Sequence, residues 1–138
     1  MAEKILIVDD EPDMLKLLSL ILREKTNYEI TTTNNPIEAL ELVKTQNFDL
    51  VITDLKMPGL DGLQLLEEVK KKDEDIPVVI ITAYGTIDAA TEAIQKGGFD
   101  FITKPFKKEQ ILFTIEKALK WLRVQRENRM LKEKLGKI

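Results

Sequence analysis

Five short strand-like runs recur along the chain, and a stretch of helical spacing follows each of them. The runs are Ile5-Leu6-Ile7-Val8 and residues 28–32, 49–53, 78–82 and 99–103. Regular alternation of strand and helix, joined by connections of a few residues, commits a chain to a parallel sheet with helices on both faces. The central runs show no in–out alternation, as expected of strands covered on both sides. Residues 28–32, Tyr-Glu-Ile-Thr-Thr, do alternate and read as a strand nearer the edge. Right-handed crossovers and short loops favour the strand order 2-1-3-4-5 in an α/β, doubly wound sheet.

The segments between the runs carry helix signals. Met14, Leu15, Leu17, Leu18, Ile21 and Leu22 recur at helical spacing over residues 13–25, with Pro12 in the first turn. Asn35-Pro36 reads as a cap and a first helical residue for a helix over 37–45. Residues 62–72 place Leu63, Leu65, Leu66 and Val69 inward. Thr86 caps a helix through Ala89, Ala90, Ala93 and Ile94, and Gly97-Gly98 ends it. A last helix starts near Lys107 and meets no Pro or Gly until Gly136.

Composition narrows the chemistry. The 138 residues fit one compact domain, and a net charge of −3 argues against binding nucleic acid by bulk charge. No apolar run is long enough to span a bilayer, and Met1-Ala2-Glu3-Lys4 leads straight into a strand pattern instead of a signal peptide. The expected location is therefore the cytoplasm, with no membrane contact. With no Cys and no His, the chain has no disulfide, thiol nucleophile, imidazole base or His-ligated metal. Carboxylates, hydroxyls, Lys and Arg remain, and any metal is expected to be a hard, oxygen-seeking cation such as Mg²⁺.

Residues 50–62, Leu-Val-Ile-Thr-Asp-Leu-Lys-Met-Pro-Gly-Leu-Asp-Gly, end a buried strand in one carboxylate, Asp54, and then break into a Pro-Gly loop. In open α/β sheets ligands bind at the carboxyl edge of the strands. That edge would gather Asp9, Asp10, Asp54, Thr82 and Lys104 from strands 1, 3, 4 and 5. Three packed carboxylates repel one another and raise each other's pKa, and a divalent cation removes that repulsion. A lysine and a hydroxyl beside them offer donors to an anion with several oxygens. Phosphate suits that set.

The acidic pair, the lone Asp54, the Met-Pro-Gly-Leu-Asp-Gly loop, Thr82-Ala83 and Lys104-Pro105-Phe106 appear in the order found in receiver domains of two-component response regulators. Residues 3 to about 120 resemble that family. The resemblance implies a flavodoxin-like (βα)5 fold, which the long last helix extends at its C-terminal end. It implies that Asp54 is the phosphoacceptor, that Asp10 holds Mg²⁺ directly and Asp9 largely through water, and that the Lys56 backbone carbonyl is a further ligand. Lys104 would contact the phosphoryl oxygens, Thr82 would bond them through its hydroxyl, and Phe101 would take the aromatic switch position. The partner implied is a sensor histidine kinase, since a chain without His must receive its phosphoryl group in trans. Such a domain is regulatory and not a turnover enzyme: it catalyses its own phosphorylation and slowly loses the group to water. The Lys104-Pro105 bond is expected to be cis. Tyr84 would lie near the mouth of the site.

Residues 81–90 and 98–106, with Arg126-Glu127-Asn128 and a leucine repeat, look most like receivers of NtrC-type, sigma-54-dependent activators. Those precede an AAA+ ATPase and a DNA-binding domain that together activate transcription. Neither motif set is present in this sequence, so the expectation is a regulatory piece of a larger activator. The division expected is a receiver over residues 1–120 and a coiled-coil linker helix over 121–138. In that helix Trp121, Val124, Asn128, Leu131, Leu135 and Ile138 step by three and four. With Trp121 at a, Asn128 is also at a, while Val124, Leu131 and Ile138 are at d. Glu127 falls at g and Lys132 at e. A lone a-position Asn favours an in-register parallel homodimer. Ile111, Ile115, Ala118, Leu119 and Leu122 would instead cover the receiver's own sheet. Two other classes stay open at this point. A haloacid-dehalogenase-like enzyme would want a second Asp where Lys56 stands. A stand-alone receiver would carry the tail as a mere overhang.

Overall fold

The computed structural model describes residues 3–55, 57, 59, 61–83 and 87–136. Among the described residues five strands, β1 (Lys4–Val8), β2 (Glu29–Thr33), β3 (Leu50–Thr53), β4 (Val78–Ala83) and β5 (Asp100–Lys104), alternate with five helices. The helices are α1 (Pro12–Lys25), α2 (Pro36–Thr45), α3 (Gly62–Lys72), α4 (Ile87–Gln95) and α5 (Lys108–Gly136). All strands are parallel, in the order β2-β1-β3-β4-β5 expected from the sequence.

The pleat sends alternate residues of each central strand to opposite faces. Ile5 and Ile7 of β1, Ile52 of β3 and Ile81 of β4 meet Leu18 and Leu22 of α1 and Ile115 and Leu119 of α5. Leu6, Val8, Val51 and Ile80 meet Val43 of α2, Leu65 and Val69 of α3 and Ala93 of α4. Both faces are dry, which is why β1, β3 and β4 read as unbroken apolar runs. Leu17 shares the spacing of the α1 core residues but is exposed, and Leu63 is only partly buried.

The helix ends follow their local signals. Asn35 Oδ1 accepts the Ile37 N–H at 2.9 Å, with Pro36 in the first turn behind it. Asp61 and Gln64 form a reciprocal capping box at the start of α3. Gly97, at φ +113°, turns the chain out of α4. The proposed Thr86 cap lies outside the described residues. The Lys104–Pro105 peptide is cis, as the family resemblance implied.

Candidate functional site

The strand register decides which side chains meet. Val8 pairs with Thr53, so the residues that follow them, Asp9 and Asp54, leave the sheet side by side. The Asp54 N–H donates to the Val8 carbonyl at 3.2 Å, and the Asp9 N–H donates to the Thr33 carbonyl at 3.3 Å. Both carboxylates are buried, while Asp10 is exposed at the rim. Thr82 and Lys104 are held at the same carboxyl edge, since Thr82 pairs with Thr103 and Ala83 with Lys104. Thr82 is buried, and Lys104 reaches back over the edge.

Lys104 Nζ lies 3.0 Å from Asp54 Oδ2, 3.2 Å from Asp9 Oδ2 and 3.7 Å from Glu11 Oε1. Asp9, Asp10 and Asp54 each bring a carboxylate oxygen within 4.8 Å of the others. Oxygen-only donors gathered so closely, two of them buried, suit a hard divalent cation and leave no place for a soft one. Burial pushes the Asp9 carboxyl above its ordinary value, and the nearby Asp54 charge adds to the rise. The Glu11 N–H, at 2.9 Å from Asp9 Oδ1, and Lys104 oppose it. For Lys104 burial alone favours the neutral amine, but hydrogen bonds and charge from Asp54 and Asp9 outweigh it, and its pKa is raised. Lys104 therefore stays an ammonium and partly neutralises the carboxylates.

On β5, Phe101 pairs with Ile80 of β4 and is partly buried against the α2–α3–α4 side of the sheet. It stands on the strand that delivers Lys104, two positions behind β4 residue Thr82 in the register. Lys56 and Tyr84 lie outside the described residues. Sequence reasoning treated Gly62 only as the end of the loop motif and the first residue of a helix. A Cβ there would stand 2.4 Å from the Asp54 carbonyl oxygen and 2.9 Å from Leu55 Cα. The Gly62 N–H also donates to the Leu55 carbonyl at 2.8 Å. Gly62 lets α3 press its first turn directly against the backbone that carries Asp54.

The sequence model of the response regulator receiver domain matches residues 5–116. The chain belongs to that family. Receiver domains act in phosphorylation-based signalling through self-catalysed phosphoryl transfer and are not classical enzymes, and the Asp9–Asp10–Asp54 cluster is typical of those that bind Mg²⁺. The receiver is 40% identical over 135 residues to the nitrogen assimilation regulatory protein NtrX of Azorhizobium caulinodans, covering 96% of this chain and 30% of the relative. It is 42% identical over 115 residues to the transcriptional regulatory protein GlrR of Escherichia coli K12, covering 83% and 26%. Among solved structures, NtrX from Brucella abortus in complex with ADP superposes with a TM-score of 0.89 at 39% identity, over 95% of this chain and 30% of that one. A receiver domain from Clostridium thermocellum superposes with a TM-score of 0.83 at 31% identity, over 89% of this chain and 98% of that one. The receiver thus spans less than a third of the curated relatives it matches. Among the described residues no helix is long and apolar enough to cross a membrane.

Proposed function

We propose that this receiver takes one phosphoryl group on Asp54 from a phosphohistidine of a sensor kinase and passes the resulting change to an attached transcription-activating ATPase. The observation that carries the reading is the convergence of Asp9, Asp10 and Asp54 with Lys104 at one sheet edge. Asp9, Asp10 and Asp54 would hold Mg²⁺, with the Lys56 backbone carbonyl as the further ligand expected from the family. When bound, the cation supplies charge neutralisation for the carboxylates and the incoming phosphoryl oxygens.

The chain's own residues account for the rest of the reaction. An Asp54 carboxylate oxygen attacks phosphorus in line, an O–P bond forms, and the donor's N–P bond breaks with its electron pair leaving on the imidazole. Burial and the close Asp9–Asp54 pairing fix the nucleophile, so positioning supplies much of the rate. Lys104 moves its hydrogen bonds from the carboxylates to the phosphoryl oxygens. The Thr82 hydroxyl adds a further bond, and Phe101 occupies the space Thr82 vacates. Water later attacks phosphorus, releasing inorganic phosphate and restoring the carboxylate. The phosphoryl charge biases a two-state equilibrium whose output is the face formed by α4, β5 and α5.

The likeness to NtrX and GlrR supports a transcriptional role, and the coiled-coil pattern after residue 120 supports a homodimer. Incubation with acetyl phosphate and Mg²⁺, followed by intact-mass measurement, tests the core of the reading. One phosphoryl group is expected on the parent chain, and none on Asp54→Ala or after chelation. Labelling that persisted in Asp54→Ala would overturn the assignment.

A further inference from the structure

The inward face of α5 changes chemistry part-way along. Ile115, Leu119 and Leu122 are buried against the sheet. Seven residues later Leu119 is succeeded by Arg126 and Leu122 by Arg129. The face that is apolar over the sheet is therefore cationic beyond it. Arg123 pairs with Glu3. Arg126 Nη1 lies 2.8 Å from Asp49 Oδ1. Arg129 Nη2 lies 2.6 Å from Asp75 Oδ2 and 3.6 Å from Asp73 Oδ1.

The acids stand in the segments that lead into β1, β3 and β4, which are consecutive strands of the sheet. Three residues of α-helix rise about 4.5 Å, and neighbouring strands lie about 4.8 Å apart. An arginine at every third position thus advances in step with the strands, and each meets the segment entering the next one. Two of the acids are held in place by backbone. Asp49 Oδ2 accepts the Lys4 N–H at 2.7 Å, and Asp73 Oδ1 accepts the Asp75 N–H at 3.0 Å. On the opposite side of the helix Val124, Leu131 and Leu135 are exposed.

We propose that Arg123, Arg126 and Arg129 form a latch that fastens the helix extension to the amino-terminal edge of the sheet. Residues 123–134 then move as one body with the receiver instead of swinging as a free helix. The latch sets the direction in which the apolar a/d stripe points, and any rotation of the receiver reaches the extension without slack. The arginine side chains are about half exposed and each pair is individually weak, so the latch acts through the row and loosens with salt. This holds whether or not Asp54 is the phosphoacceptor.

The absence of native Cys permits clean double spin labelling at Glu67→Cys on α3 and Lys134→Cys on α5. Dilution with excess unlabelled chain restricts the measured distance to one molecule. The parent should give one narrow distance distribution. The triple variant Arg123→Gln, Arg126→Gln, Arg129→Gln keeps helix propensity and should broaden it, with amides of residues 126–134 exchanging about tenfold faster. Asp49→Asn combined with Asp75→Asn leaves the helix sequence untouched and should broaden it too. That pair decides the matter if circular dichroism shows that the arginine variant has lost helix. A broad distribution in the parent, or a narrow one that survives removal of the acids, would overturn the latch.

Discussion

Lys104 occupies ground that a divalent cation held by Asp9, Asp10 and Asp54 would also use. Its ammonium lies within 3.2 Å of carboxylate oxygens on both Asp9 and Asp54, so on the proposed function it would compete with the metal before phosphorylation and cooperate with it afterwards. Lys104→Gln should therefore bind Mg²⁺ several-fold more tightly by calorimetric titration. Its phosphorylation rate with acetyl phosphate at saturating Mg²⁺ should fall by roughly 10²-fold or more, the usual loss when one donor to developing charge is removed. Metal binding and transfer rate falling together would mean that Lys104 merely holds the carboxylates in place. Gly62 raises a different issue, because the atoms its Cβ would strike are backbone and cannot swing aside. Gly62→Ala is expected to cost about 1–3 kcal/mol as an overpacked contact, seen as a lower Tm, and to slow phosphorylation by shifting the Asp54 segment. Gly136→Ala, with open space around it, should instead stabilise the helix end by up to about 1 kcal/mol.

At the scale of elements, two N-caps of similar chemistry do different work. Asn35 caps α2 beyond the end of the edge strand β2 and reaches the site through Thr33, whereas Asp61 and Gln64 close the first turn of α3, where Gly62 lies directly against the backbone of Asp54. Asn35→Ala and Asp61→Ala should each cost about 1 kcal/mol in denaturant unfolding, and only Asp61→Ala should also slow phosphorylation. Every strand and helix was legible in the sequence, because apolar runs and 3.6-residue spacing report burial directly. Boundaries moved by a residue or two, as at β5, where Lys104 still pairs with Ala83. Asp9, Asp54, Thr82 and Lys104 were legible as a group because topology alone brings strand ends together. The Cβ clash at Gly62 was not, since it depends on how closely α3 approaches β3. The arginine row was missed as well: Arg126 and Asp49 are far apart in sequence, and no local spacing announces their contact. Trp121 was read as a seam residue. Its ring lies 5.7 Å from that of Phe99 and packs on the receiver's own core, so the freely exposed stripe begins at Val124.

For the whole molecule, the distribution of exposed apolar side chains favours a second copy of the chain as the partner. Val124, Leu131 and Leu135 stand open on α5, on the face turned away from the arginines. Beside them, on the proposed output face, Phe113 is exposed and Lys117 bridges its ring, the Phe99 ring and Asp100. A helix extension this short forms only a marginal dimer unaided, so in the proposed homodimer the receivers would also contribute contact area. On the proposed function, phosphorylation would act on that contribution through Phe101, which lies on the same strand as Asp100. Leu131→Asp places a charge in the seam and should shift the chain toward monomer by sedimentation, with Asp54 phosphorylation nearly unchanged. Asn128→Leu should strengthen association while relaxing the preference for two parallel strands, because a buried a-position Asn specifies register at a cost in stability. An unaltered mass for Leu131→Asp would remove the seam as the dimer contact and leave the extension a latched overhang of a monomeric receiver.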